Sequence, residues 1–264
     1  MTIVADAALD ADLERRFGGL RRLHGDVAYA RLRASRVAVV GLGGVGSWAA
    51  EALARSGVAA LTLIDLDHVA ESNVNRQVQA TSATLGQSKV QALAERIAQI
   101  HPGCAVHRVE EFVDASNWPA LLAAPVDAVI DACDQLRAKV ALAAWALASG
   151  STFVCVGAAG GKQRGEAVEV GDLAQVTHDP LLAALRQRLR QQHGAPRTGP
   201  IGVDCVASRE PVALPDAACG AGGASDGTLN CHGYGSSVVV TATFGLVAAG
   251  LALRRHLERG PKPC

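Results

Sequence analysis

The sequence predicts an α/β fold, doubly wound around a mainly parallel sheet. Three observations predict it. Short apolar runs alternate with segments of helical period between residues 36 and 156. The first run, RVAVV, leads straight into the glycine-rich GLGGVGS and then a helix, the strand–turn–helix unit of nucleotide-binding sheets. The second run ends on an acid, Asp65, at the strand end where such sheets meet their ligands. The class is therefore Rossmann-like.

Each element follows from its residues. Positions 36–40 form a buried strand. Behind the glycines, Val45, Trp48, Ala49, Ala52 and Leu53 repeat at helical spacing, with Glu51 and Arg55 on the outer face. Positions 61–64 make the second strand. Ser88 and Gln91 are spaced as a capping box before the stripe Val90, Leu93, Ala94 and Ile97. Pro102 and Gly103 stop that helix. Strands are expected at 105–109, at 126–130 (running into Asp131-Ala-Cys-Asp134) and at 152–156, with an Ala-rich helix over 136–148. After residue 160 the pattern loosens. Positions 167–170 alternate as in a more open sheet, 181–192 read as a helix, and 213–230 read as a mobile loop. An apolar helix from Ser236 closes the chain. Its core, VVVTATFGLVAAGLAL, is shorter than the ~20 residues of a membrane span. Burial in the core or at an oligomer interface is expected, with membrane association the lesser alternative.

Composition narrows the function. Hydrophobic residues are 49% and charged residues 19%, enough for a core and too apolar for a disordered chain. Lys+Arg and Asp+Glu are both 25, so the net charge is zero and a bulk nucleic-acid coat is excluded. Seven cysteines without a C-x-x-C pair are neither a disulfide scaffold nor a four-thiolate zinc site. No secretory signal is visible, so a reducing, cytoplasmic setting is expected.

Gly41, Gly43, Gly44 and Gly46 permit a tight turn and close approach of phosphate oxygens, and the helix behind them supplies free N–H groups. Asp65, nineteen residues beyond Gly46, suits the hydroxyls of a ribose. The glycines alone do not separate NAD from ATP. Asn75, Arg76 and Lys89 bring amide and cations toward the same nucleotide, and a triphosphate needs more such charge than a dinucleotide. Asp134, at the sheet's carboxyl edge, is a natural Mg2+ ligand. The bland alternatives are a surface ion pair for Arg76, a solvated helix start for Lys89 and a helix cap for Asp134. Four arginines, Arg186, Arg188, Arg190 and Arg197, fall between residues 180 and 203 with no acid, and seven lie between 15 and 36 with one. Each set is a solvated face or a local patch for RNA phosphates.

The stretches VAVVGLGGVGSWAAEALARSGV, LTLIDLDHV, NVNRQ, LGQSKV and DACD resemble the ThiF/MoeB/HesA superfamily of adenylating enzymes, relatives of the ubiquitin-activating enzymes. RFGG at 16–19, GAAGG at 157–161, DPL at 179–181, GVDCV at 202–206 and VTATFG at 240–245 resemble one branch, the tRNA threonylcarbamoyladenosine dehydratases. This resemblance implies one adenylating domain over 1–264, with a soft sub-boundary near 160 between a nucleotide half and a tRNA-facing half. It implies ATP and Mg2+ as cofactors, and a tRNA whose threonyl carboxylate is activated and closed to a hydantoin. In that scheme the glycines and Asp65 hold the nucleotide. Asn75, Arg76 and Lys89 meet the phosphates, and Asp134 organises the magnesium. It also implies a homodimer and the possibility of a cysteine desulfurase partner.

Two departures stand out. Carrier-activating relatives have a second arginine in an Arg-aromatic-x-Arg start, where this chain has Gly19; Arg21 or Arg22 are the substitutes. Their paired C-x-x-C zinc ligands are absent, so no structural zinc is expected. Cys231, in NCHGYGSS, is a possible catalytic thiol, though an acyl-adenylate does not require one. The stretch 157–161 is a turn, a close approach to substrate or a monovalent-cation loop. The competing functions are adenylation of a ubiquitin-like sulfur carrier, NAD(P)-dependent dehydrogenation and a non-enzymatic adaptor.

Overall fold

A computed structural model describes residues 2–213 and 234–259, with side chains from residue 12 onward. The elements are α1 (Thr2–His24), α2 (Asp26–Ala34), β1 (Arg36–Val40), α3 (Gly46–Arg55), β2 (Ala60–Ile64), α4 (Lys89–Ile100), β3 (Ala105–Val109), β4 (Ala128–Asp131), α5 (Leu136–Ser149), β5 (Thr152–Val156), β6 (Val168–Asp172), α6 (Pro180–Gln192), β7 (Asp204–Ser208) and α7 (Val238–Glu258). The seven strands lie in the order β3-β2-β1-β4-β5-β7-β6. All neighbours are parallel except β6, which runs antiparallel to β7.

The central strands are apolar throughout because helices cover both faces. Along β1, Val37 and Val39 enter one core, with α3, α4 and α7, while Ala38 and Val40 enter the other, with α5 and α6. The edges differ. β3 carries exposed His107 and Arg108, and β6 carries Glu169 paired to Arg209 at 2.8 Å. Charges of this kind blunt an open sheet edge.

The strands and helices expected within the described residues are present, with adjustments. The fourth strand starts at Ala128, and the sixth at Val168 after a short 3-10 turn. The 213–230 loop lies almost wholly outside the described residues. At α4, Ser88 accepts from the Gln91 N–H at 3.4 Å. The reciprocal half of the capping box is replaced, because the Gln91 side chain turns to Glu95 and Arg108. The α1–α2 pair is an addition, because α1 has only a weak apolar stripe to announce it.

That pair consumes most of the N-terminal arginines. Arg16 pairs with Asp12 at 2.6 Å, and Arg21 with Glu14 at 3.0 Å. Arg31 donates to the carbonyls of Leu257 and His256 at 2.6 and 2.7 Å. Arg33 donates to Gly57 O and lies 5.0 Å over the Phe17 ring. Gly57 has φ +71°, and a Cβ there would stand 2.7 Å from the Arg33 guanidinium. The expected N-terminal patch for RNA is therefore largely a structural clasp.

His101 sits under this clasp, 1% exposed, with its Nε2 3.1 Å from Arg33. Burial, reinforced by the Arg33 charge, lowers its pKa from 6.5 to about 4. The imidazole is neutral in the fold, whereas in the unfolded chain it takes a proton near its ordinary value. The unfolding free energy is therefore expected to fall as pH drops from about 6.5 toward about 4. Urea denaturation across that window should show the slope, and His101→Gln should flatten it.

α7 is long and apolar enough to cross a membrane by length and composition. Its inner face is core: Val240, Phe244, Ala248 and Ala252 are fully buried. It packs on α3, β4 and β5. Gly245 allows this, since a Cβ there would overlap the Val45 carbonyl.

Candidate nucleotide site

Strand order reverses between β1 and β4, which is where crevices open in such sheets. A cavity of about 420 Å3 lies there, at the carboxyl ends of β1, β2, β4 and β5. Gly41, Gly43, Gly44, Asp65, Arg76, Lys89 and Asp134 all line it.

The glycines have separate jobs. Gly41 has φ +83°, and a Cβ would lie 2.8 Å from the Cys133 backbone, so it lets β1 and the β4 loop cross. Gly43 faces open space. Gly44 carries the loop past Thr241 and Arg76. Gly46 does not line the cavity; its absent Cβ makes room for the Gly41 carbonyl. Its place in the structure is therefore turn closure. Gly46→Ala should lower the unfolding free energy by about 2–4 kcal/mol, the cost of overpacking a rigid turn. Gly43→Ala should stay within about 0.5 kcal/mol of the parent. Urea melts of the two variants compare them directly.

Asp65 is fixed by two backbone donors. Its Oδ2 accepts from Leu42 N at 2.6 Å and its Oδ1 from Asp67 N at 2.9 Å. Burial pushes its pKa above the ordinary carboxylate value, against the pull of Lys89, 3.9 Å away. The Lys89 side chain is 7% exposed and its Nζ meets Asp67 Oδ2 at 2.7 Å. Burial pushes the pKa of Arg76 down. Its guanidinium donates to Ser72 O at 2.5 Å and to Asn75 Oδ1 at 3.0 Å. Asn75 itself does not line the cavity. Its amide donates to Ser236 O at 2.9 Å and braces the loop that holds Arg76. Asn73 and Gln77, from the same stretch, line the wall instead. Asp134 is half-buried and forms no ion pair among the described residues.

Thr241 tests whether a polar ligand fits. Its Oγ1 is buried at the cavity wall without a hydrogen-bond partner among the described residues. A phosphate or ribose oxygen would satisfy it. The N-terminus of α3, through Gly43, Gly44 and Val45, opens on the same space.

Three features escaped the sequence. Asp67, two residues past Asp65, shares Lys89. Beneath the cavity, Lys139 and Asp131 form an ion pair at 3.1 Å, both fully buried. Lys139 also donates to Val156 O at 2.7 Å, and Asp131 accepts from the Cys133 N–H at 3.2 Å. Burial alone would push the Lys139 pKa down; the Asp131 carboxylate reverses this and holds it above the ordinary value. Burial, aided by Asp131, pushes the Cys133 thiol well up. Finally, Asp179 caps α6 at Leu182 N (2.9 Å) and binds Ala158 N at 2.8 Å, filling the space of a Gly157 Cβ.

The 157–161 stretch leads into Lys162. Its Nζ donates to the carbonyls of His178 at 3.1 Å, Ser208 at 3.3 Å and Glu210. The cation at this carbonyl cluster is the chain's own. Of the four later arginines, Arg186 is tied to Leu173 O and Val176 O at 3.0 and 2.8 Å, and Arg190 to Pro196 O at 3.1 Å. Arg186 thus braces α6 against the loop after β6. Arg188 and Arg197 are exposed and form no ion pair among the described residues. Cys205 is a packed strand residue, and Cys231 lies outside the described residues.

Comparison with known proteins returns the same architecture. The chain is 41% identical over 256 residues to the tRNA threonylcarbamoyladenosine dehydratase of Escherichia coli, covering 94% of this chain and 96% of the relative. It is 36% identical to the enzyme of that name from Haemophilus influenzae, covering 98% and 99%. The crystal structure of the E. coli dehydratase in complex with ATP superposes with a TM-score of 0.84 at 41% identity, covering 93% of this chain and 95% of that one. The ThiF family model matches residues 15–262. Because that match runs through every strand of the sheet and not the glycine loop alone, this chain belongs to the ThiF family.

Proposed function

We propose that this protein is an ATP-dependent dehydratase that closes threonylcarbamoyladenosine in tRNA to its cyclic hydantoin. The observation that carries the reading is the near end-to-end likeness to the E. coli enzyme, at 41% identity. The cavity supports it, with a glycine loop, a fixed acid, the buried Lys89 and the half-buried Arg76 around one space.

In this reading Asp65 accepts from the ribose, and the α3 N-terminus and Gly43 face the phosphates. Lys89 and Arg76 neutralise charge that grows on the α-phosphate and on pyrophosphate as it leaves. Asp134, half-buried and without an ion pair among the described residues, is the fit for Mg2+, which supplies further charge neutralisation there. The threonyl carboxylate oxygen attacks the α-phosphorus and pyrophosphate departs. A ureido nitrogen then attacks the activated carbonyl carbon, AMP leaves with the carboxylate oxygen, and the nitrogen's proton is lost. The ring closes at the net cost of one water from the substrate. Burial of the site protects the mixed anhydride from hydrolysis.

Exposed Arg188 and Arg197 are the remaining tRNA contacts of the original four. A homodimer belongs to the reading, since α7 leaves Val239 58% and Leu246 50% exposed, an apolar stripe a second copy would cover. The cytoplasm is where such an enzyme would meet tRNA and ATP. The test is mass spectrometry of modified tRNA incubated with the protein and ATP. A loss of one water from the modified nucleoside is expected with ATP and not with NAD. An unchanged mass with ATP would overturn the proposal.

A further inference from the structure

Beside the nucleotide cavity lies a second groove of about 1070 Å3. Three segments run from one to the other. In the loop after β3, Glu111, Phe112 and Val113 line the cavity, and Asp114, Ala115 and Ser116 line the groove. At the start of α5, Gln135 lines both, and Arg137 and Val140 continue into the groove. On α6, Leu181 touches the cavity and Arg188 and Gln192 the groove. The two spaces share Gln135 and adjoin along these three segments.

The groove's chemistry is asymmetric. Arg137 and Arg188 are exposed and form no ion pair among the described residues. The single carboxylate, Asp114, is already engaged by Ser116 N at 2.7 Å, Ser116 Oγ at 2.6 Å and Asn117 N at 3.2 Å. Leu136, Val140 and Ala141 give it an apolar wall. Two free guanidinium groups beside an apolar surface match the alternating phosphates and flat bases of a single strand.

We propose that this groove holds the nucleotides flanking the modified adenosine in a single-stranded RNA loop, with Arg137 and Arg188 on the phosphates and the apolar wall against a base. The proposal rests on the tRNA reading above and adds a place and a direction to it. The strand leaves the nucleotide cavity past Gln135 and follows α6 toward its C-terminal end.

The experiment titrates a fluorescein-labelled anticodon stem-loop RNA carrying threonylcarbamoyladenosine, by anisotropy, across a salt series. For R137A/R188A the RNA Kd should rise about 10-fold or more, and the salt slope should fall by about 1.4, from two lost single-strand phosphate contacts. ATP affinity, measured by calorimetry, should stay within about twofold, and the loss in cyclisation should fall on KM for RNA. R137K/R188K should recover the slope with part of the affinity, because lysine keeps the charge and loses the bidentate fork. An unchanged RNA Kd and slope, or a fall in kcat at unchanged KM, would overturn the groove. The two readings fail separately. Cyclisation by the parent with parent-like RNA binding by R137A/R188A removes the groove alone. RNA binding that depends on the two arginines, without any cyclisation, removes the dehydratase alone and supports the groove.

Discussion

Lys89→Ala is expected to reduce ATP-dependent turnover by about 10³-fold or more while the protein stays folded. The ammonium has two functions in one place. It lines the nucleotide cavity, and it neutralises Asp67 at 2.7 Å and Asp65 at 3.9 Å. Without it, two carboxylates face a polyphosphate with no cation between them, and both binding and charge development become unfavourable. The fold should survive, because α4 is held by Val90, Leu93 and Ile97 and by its Ser88 cap. Adding Asp67→Asn to Lys89→Ala should recover part of the loss by removing one of the stranded charges. Single-turnover conversion of ATP to AMP, beside far-UV circular dichroism, measures both halves. Turnover within tenfold of the parent would mean that the phosphates lie elsewhere.

Lys139→Met is expected to destabilise the fold by about 3–5 kcal/mol, the usual result of stranding one partner of a buried ion pair. Asp131 is 0% exposed and would keep its charge only at great cost. Lys139 also ties the end of β4 to Val156 O at the end of β5. Those two strands deliver Asp134 and Gly157 to the cavity, so residual folded protein should show weaker nucleotide binding. The double variant Lys139→Met, Asp131→Asn should recover stability, since it leaves no unpaired charge. Urea denaturation of the three proteins provides the cycle. A loss below about 1 kcal/mol for Lys139→Met would show that the pair is not what holds the two strand ends.

Much of the fold was legible because its signals are local. An apolar run such as 152–156 is a strand by itself, and Pro180 after the Asp179 cap starts a helix by itself. The glycine loop and Asp65 were legible for the same reason, being read from spacing along one strand–turn–helix unit. The α1–α2 pair was not, because α1 has only a weak apolar stripe and gains its partners from distant segments. Phe17 rests on His101, with ring centroids 4.7 Å apart.

Arginine separates the two kinds of information. The sequence places eleven arginines in two acid-poor stretches, and each stretch reads equally as a solvated face or as a patch for RNA phosphates. Arg31, Arg33 and Arg186 instead satisfy backbone carbonyls, while Arg137, outside both stretches, joins Arg188 in the groove. Gly46 and Asn75 also make scaffold contacts, closing the turn and bracing the loop of Arg76, and Lys139 is the cation beneath the cavity. By itself, the sequence determined the order of strands and helices from β1 onward, the glycine turn and the acid and cations placed around it. Only the tertiary structure decided which charges face the cavity and which are spent inside the fold. Periodicity is carried by neighbours along the chain, but a charge's partner is chosen by proximity in space, and burial makes that choice costly to leave unmade.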